Sequence, residues 1–226
     1  MDKEEIIKDL TRRITSEDLP QGCWLVEREI SERYGISRTP VREILRTLSA
    51  NGLVEQLPGK GFRVKELNLE DIIAIFNARE AVETVLTRLA CKFGGEQFLS
   101  EVRQMHDKLQ GVDVVKNIGK AMGIGRNLHD CIADGANNYI LSEFYYKLKN
   151  LHALTASLTR RLPRVEENSK DYHLLIIEAI LERDIPKSEQ LMREHLRLTC
   201  KLTVEGYIND RTGYDDDMTP PGNGLS

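Results

Sequence analysis

A mainly α-helical chain with one small β element is what these 226 residues predict, on three observations. Apolar residues recur at helical spacing along nearly the whole sequence. Strand-like runs occur in one place only, Leu53 to Leu57 and Phe62 to Val64, around Pro58-Gly59-Lys60-Gly61. Glycine and asparagine stops at Gly35, Asn51-Gly52, Gly94-Gly95, Gly111 and Asn137-Asn138 cut the helical pattern into separate segments.

In chain order, Ile6, Ile7, Leu10 and Ile14 mark a short amphipathic helix, and Gly22 to Val26 an extended piece. Ile30 anchors a second helix that starts at Glu27. Gly35 can take the left-handed conformation that ends it. Ser37 suits the N-cap of the next helix, because its hydroxyl can accept from a free backbone N–H. Pro40 falls in the first turn, where proline costs least. Val41, Ile44, Leu45 and Leu48 form one buried face, while Arg38, Arg42 and Arg46, spaced by four, line another.

Helix, tight turn, helix and a two-stranded wing make a winged helix-turn-helix over residues 1–65. In that layout the second helix enters the DNA major groove and presents its N-terminal side chains to base edges. Arginine suits the task, since its planar fork matches guanine and grips phosphates. Glycine at the wing tip lets backbone approach DNA, and Lys60 adds a charge there. A merely solvated surface helix would also carry arginines. Turn, cap, arginine row and glycine-basic hairpin in this order point to DNA instead.

Residues 66–69 form a short connector with no Gly/Ser tract, which predicts coupled rather than loosely tethered domains. Asn68 can cap the next helix, with Glu70 and Asp71 in its first turn. Residues 69–208 then read as a bundle of about six helices. Ile72 to Leu89 mark the first and Phe98 to Leu109 the second. The third runs from Val114 to about Ala133 and the fourth from Tyr139 to Leu158. A basic link, Arg160 to Arg164, precedes the last two, Ser169 to Glu182 and Pro186 to about Tyr207. Residues 209–226, rich in Asp, Gly and Pro, read as a disordered tail.

Composition sets outer bounds. With 40% hydrophobic and 30% charged residues the chain reads as an ordinary soluble protein. It contains no membrane-length apolar run and no leader-like start. Cys23, Cys91, Cys131 and Cys200 are scattered without a CxxC pair, as expected of reduced thiols in a cytoplasm. Residues 1–65 hold 12 Lys+Arg against 11 Asp+Glu, and the remainder 20 against 25. DNA binding therefore has to rest on where the arginines sit, since total charge nearly balances.

Ser37-Arg38-Thr39-Pro40-Val41-Arg42-Glu43, with Leu45, Leu48, Gly52-Leu53-Val54 and Gly59-Lys60-Gly61, resembles the signature of the GntR family of bacterial transcription regulators. The resemblance implies that Arg28, Arg38 and Arg42 contact operator DNA, with Ser37, Thr39 and Lys60 beside them, and that Gly61 enters the minor groove. Over residues 69–208 the chain is more loosely similar to the all-helical ligand-binding (FCD) domain of the FadR-like branch. That similarity rests on Arg79…Glu83, Leu128-His129, Asn138, His173 with Ala179-Ile180 and Asp184, and His195-Leu196. A homodimer follows from physics too, because specific sites are normally read as paired half-sites.

Three histidines, His129, His173 and His195, stand on otherwise apolar stripes of separate helices. Singly, each reads as a satisfied core residue; together they could converge on a divalent metal, zinc or nickel. The resemblance implies the metal, because these positions match three metal-binding histidines of the family. The family's fourth ligand, an aspartate one turn earlier, is Gly125 here. That substitution should leave space for a carboxylate from outside, and Gly125→Asp should then tighten the metal. His106 and His152 read as surface or boundary residues. Arg79 lies on an apolar stripe and needs a partner. Either Glu83 pairs with it, or it grips the carboxylate of an effector, typically a small organic acid in this branch. These readings converge on an effector-controlled regulator, probed against two rivals: a sensor for the ion itself, and a three-histidine metalloenzyme.

Overall fold

In a computed structural model the described residues are 1–159 and 163–212. The N-terminal unit packs helix α1 (Lys3–Thr15), strand β1 (Trp24–Leu25), helices α2 (Glu27–Tyr34) and α3 (Arg38–Ala50), and strands β2 (Val54–Leu57) and β3 (Gly61–Val64). Asp2 caps α1 through a reciprocal pair of bonds with Glu5. Ile6, Leu10 and Ile14 bury the face of α1 that meets α3. Gly35 ends α2 at φ 64°, in the left-handed region that glycine enters at least cost.

Two local expectations change. Ser37 sits at the N-cap of α3, but its hydroxyl makes no capping bond. The wing is a three-stranded antiparallel sheet in the order β1-β3-β2, not a two-stranded hairpin. Leu25 lies opposite Phe62, and Val54 opposite Val64. A two-residue strand is too short to show any period-two pattern, so β1 read only as extended chain.

Six helices follow: α4 (Leu69–Phe93), α5 (Glu96–Gln110), α6 (Ile118–Gly135), α7 (Tyr139–Thr159), α8 (Pro163–Leu181) and α9 (Ile185–Thr212). Asn68 and Asp71 form a capping box at α4. The third helix starts at Ile118 rather than Val114, because Asp113 accepts from Lys116 N and holds a turn there. Helix α8 starts six residues before Ser169, through the polar stretch of Arg164 to Asn168 that shows little apolar periodicity. Residues 160–162 of the expected basic link lie outside the described residues. Of the expected tail, residues 209–212 continue α9, and 213–226 lie outside the described residues. Among the described residues no helix is long and apolar enough to cross a membrane.

The bundle core gathers Leu86, Phe98, Val102, Leu128, Ile132, Ile176, Ile180 and Leu196. A second core, around Leu10, Ile44, Leu48 and Phe62 of the head, does not stop at the connector. It continues into Ile72, Ile75 and Phe76 of α4, Leu154 of α7 and Tyr207 of α9. Gln21 fastens the junction: its Nε2 donates to Leu154 O at 2.8 Å and its Oε1 accepts from Leu67 N at 2.9 Å. The head therefore rests on the bundle through shared apolar packing.

Gly52 tests that packing. It holds φ 75°, and a Cβ there would come within 2.6 Å of Leu151 Cδ2 on α7. Gly59 at the hairpin tip holds φ 70° with nothing within 4 Å. Gly59→Ala should cost about 1 kcal/mol from backbone strain alone, and Gly52→Ala measurably more, about 2–3 kcal/mol. Denaturant unfolding of both variants checks this, and equal losses would show that the junction yields.

Candidate functional site

Two groups of side chains stand out. On the head, Arg28 of α2, Ser37, Arg38, Thr39 and Arg42 at the start of α3, and Lys60 and Gly61 at the hairpin are all exposed. Arg42 Nε lies 2.8 Å from both carboxylate oxygens of Glu27, and Arg28 lies 3.6 Å from Glu32. Arg38 forms no ion pair among the described residues. Gly61, at φ 106°, keeps a side-chain-free backbone at the tip. Exposed pairs such as Arg42–Glu27 are weak and exchange readily for phosphate or a base edge.

Inside the bundle the three expected histidines meet. His129 of α6, His173 of α8 and His195 of α9 are all buried, and each offers a ligand atom within 4.8 Å of the others. His129 Nε2 and His173 Nε2 are 3.1 Å apart. Two ring nitrogens at that distance either share one proton or turn their lone pairs on a common cation. At metal–nitrogen bonds of about 2.0–2.1 Å, two ligands of one ion stand about 3.0–3.4 Å apart. The observed spacing fits. Among the described residues Nδ1 of His173 and of His195 is buried without a hydrogen-bond partner, a costly state for a polar atom unless something else satisfies the ring.

Glu83 organises this cluster from α4. Its Oε1 accepts from Arg79 Nε at 2.6 Å, and its Oε2 lies 2.6 Å from His129 Nδ1, although off the line of an aligned hydrogen bond. A carboxylate behind the outer nitrogen fixes the imidazole with its Nε2 aimed at the cluster, as behind metal-bound histidines. Arg79 and His129 hold the Glu83 carboxyl well below the usual range against the opposing effect of burial. Burial first, then neighbouring positive charge, pushes His173 and His195 well below the ordinary imidazole value. Both rings are therefore neutral near pH 7, as ligation requires.

A cavity of about 300 Å³ opens beside the cluster. Arg79 pairs with Glu83, as one of its two expectations has it, and it also lines this cavity. The wall adds Arg126, Lys149, Tyr145, Asn150, Ser169 and Glu166. Lys149 is held by Asp130 at 2.6 Å. Burial pushes the Glu166 carboxyl up to about 7, with Arg126 opposing. The Arg79–Glu83 pair cancels, so a divalent ion here would leave positive charge for an anion to meet.

One expectation is corrected. Gly125 does not leave open space: a Cβ there would lie 2.6 Å from His173 Cε1 and 2.9 Å from its Nδ1. The His173 ring fills the place a side chain would take. His152 is half-buried, as a boundary residue is, but it also lines the cavity, sits edge-on to Phe76 with centroids 5.4 Å apart, and is held neutral chiefly by burial. His106 stays outside the cavity, 3.5 Å from Glu178. Arg126, Lys149 and Glu166 escaped sequence reading because polar residues on amphipathic helices carry no mark of which face they line.

Comparison with known proteins fits this geometry. Residues 2–64 match the family described as bacterial regulatory proteins, gntR family, and residues 74–198 match the FCD domain. The HTH-type transcriptional repressor GlaR of Escherichia coli K12 is 29% identical over 175 residues, 74% of this chain and 80% of its own. The regulator McbR of the same strain is 27% identical over 209 residues, 90% of this chain and 93% of its own. The solved structure of E. coli McbR/YncC superimposes with a TM-score of 0.76 at 22% identity, covering 91% of this chain and 98% of that one, so it speaks to the fold. A gntR-type reading head joined to a helical domain that matches over more than half of the chain identifies the protein: it belongs to the GntR family of transcription regulators, with an FCD ligand-binding domain.

Proposed function

We propose that this chain is a dimeric, cytoplasmic transcription repressor whose grip on operator DNA is set by a divalent ion, zinc or nickel, and a small organic acid. His129, His173 and His195 would hold the ion, and the acid would bind beside it in the bundle cavity. The observation that carries this reading is the trio of buried imidazoles, ligand atoms within 4.8 Å, opening onto a cavity lined by Arg79, Arg126 and Lys149. Bound metal supplies charge and an open coordination position for a carboxylate oxygen. The chain's own part is to fix His129 through Glu83, to keep the His173 and His195 rings neutral by burial, and to present cationic side chains to the anion.

Repression is suggested by the name of the relative GlaR. A dimer is supported by Ile140 and Phe144, one turn apart on α7 and 52% and 54% exposed, too apolar to favour water. The four free cysteines suit a reducing compartment. Ligand occupancy would shift the balance between arrangements of the two heads that do and do not fit DNA. Chelator treatment followed by a DNA-binding assay, with and without acid, separates metabolite control from control by the ion alone.

On the DNA side, Arg38→Ala should weaken binding to a selected operator duplex at least about tenfold. Glu27→Gln should strengthen it, since Arg42 is then released from its pair. Unchanged affinity in both variants, read by fluorescence anisotropy, contradicts the assigned face.

For the metal, calorimetry of chelator-treated protein should find about one zinc ion per chain. Gly125→Ala adds no ligand and replaces a poor helix former, yet it should weaken zinc at least about tenfold by displacing the His173 ring. Gly125→Asp should displace the ring in the same way. Full zinc affinity in Gly125→Ala would overturn the reading that ligation needs the His173 ring in the Gly125 gap.

The pH dependence of the chelated protein has a definite sign. His152, His173 and His195 titrate below about 6.5 when folded and near that value when unfolded. Their stabilisation is full above that pH and is lost as pH falls. Glu166, raised when folded, acts oppositely between its ordinary value and about 7. Three groups outweigh one, so the melting temperature should fall as pH drops from 7 to 5. A flat or rising profile would contradict neutral burial.

A further inference from the structure

The cavity beside the histidines is not lined by the helical domain alone. Thr11 and Thr15, on α1 of the DNA-reading head, are part of its wall. They stand one helical turn apart, on a face adjacent to the one that Ile6, Leu10 and Ile14 bury in the head core. Both are half-buried. Helix α1 packs against α7, which contributes Lys149, Asn150, His152 and Ala153 to the same wall.

We propose that the ligand of this cavity is bound in part by the DNA-reading head itself, through the hydroxyl groups of Thr11 and Thr15. The proposal rests on the functional reading above and adds the surface that converts occupancy into head position. A threonine hydroxyl donates once and accepts through its lone pairs; Thr15 Oγ1 already donates to Arg12 O at 3.1 Å, so what it offers is an acceptor, which suits a ligand hydroxyl. The bundle contributes imidazoles and Arg79 to the wall, and the head contributes the threonines. The wall also carries Asn150, Thr199 and Thr203; the two threonine hydroxyls donate to His195 O and Thr199 O and so offer acceptors, which favours a hydroxylated chain over an alkyl one. The occupant that fits is an acid whose carboxylate faces the histidines and whose hydroxylated tail reaches α1.

Such a ligand ties the head to the bundle directly. It makes its full set of contacts only while α1 stays against α7, so occupancy favours that placement of the head and disfavours every other. No relay through the bundle is required.

The test uses the full chain, zinc-loaded, with gluconate and hexanoate as probes of equal carbon number. Calorimetry should show gluconate binding wild type more tightly than hexanoate. In Thr11→Val/Thr15→Val the gluconate affinity should drop roughly tenfold, while zinc affinity and hexanoate affinity stay unchanged. Thr11→Ser/Thr15→Ser, which keeps the hydroxyls, should restore gluconate binding. Gluconate binding equally to wild type and the valine variant overturns the inference and leaves the histidine-cavity reading intact. Failure of zinc to bind wild type, or of both acids to bind the zinc-loaded protein, overturns the cavity reading and this inference with it.

Discussion

One carboxylate buried in the bundle sets the terms for much of what surrounds it. Glu83 is 2% exposed, and a lone charge at that depth would be untenable. Arg79, one turn earlier on the same helix, neutralises one side of it, and His129 from α6 faces the other. The pairing fixes the orientation of the His129 ring, and that ring stands at the corner of the three-histidine cluster. The trio is no source of net stability, since buried ion pairs seldom outweigh well-packed apolar residues of the same volume. Its retention makes sense where the imidazoles must be aimed.

Arg79 also touches the other half of the molecule. Its guanidinium lies 5.2 Å from the centroid of Phe76, and Phe76 belongs to the core shared with the head. The edge of His152 meets the same ring. Site and head core are thus neighbours across one aromatic side chain. Combined with Gln21 at the junction and Leu151 against Gly52, this proximity shows how little slack separates the cavity from the reading head.

Much of the fold was legible because its signals are local and periodic. Gly35, Asn68 and the row Val41, Ile44, Leu45 and Leu48 act within one or two turns of chain, and the structure places them as read. Strand β1 was hidden because its two residues gain strand character only by pairing with β3. The start of α8 was hidden because its first turns are polar. At the site, the histidines were found because a titratable ring on an apolar stripe is conspicuous. The filling of the Gly125 gap by His173 could not be read, since it depends on the approach of two helices far apart in sequence. Thr11 and Thr15 were invisible for a similar reason: nothing in a threonine pair tells which domain's cavity it will face.

On the proposed function, His129, His173 and His195 act together as the ligands of one ion. X-ray absorption at the zinc edge of the loaded protein tests it most directly. The account predicts a first shell of three imidazole nitrogens at about 2.0–2.1 Å with oxygen completing the coordination, and no sulfur. A sulfur shell at about 2.3 Å, placing the ion on the cysteines, or an all-oxygen shell without imidazole scattering, would contradict it.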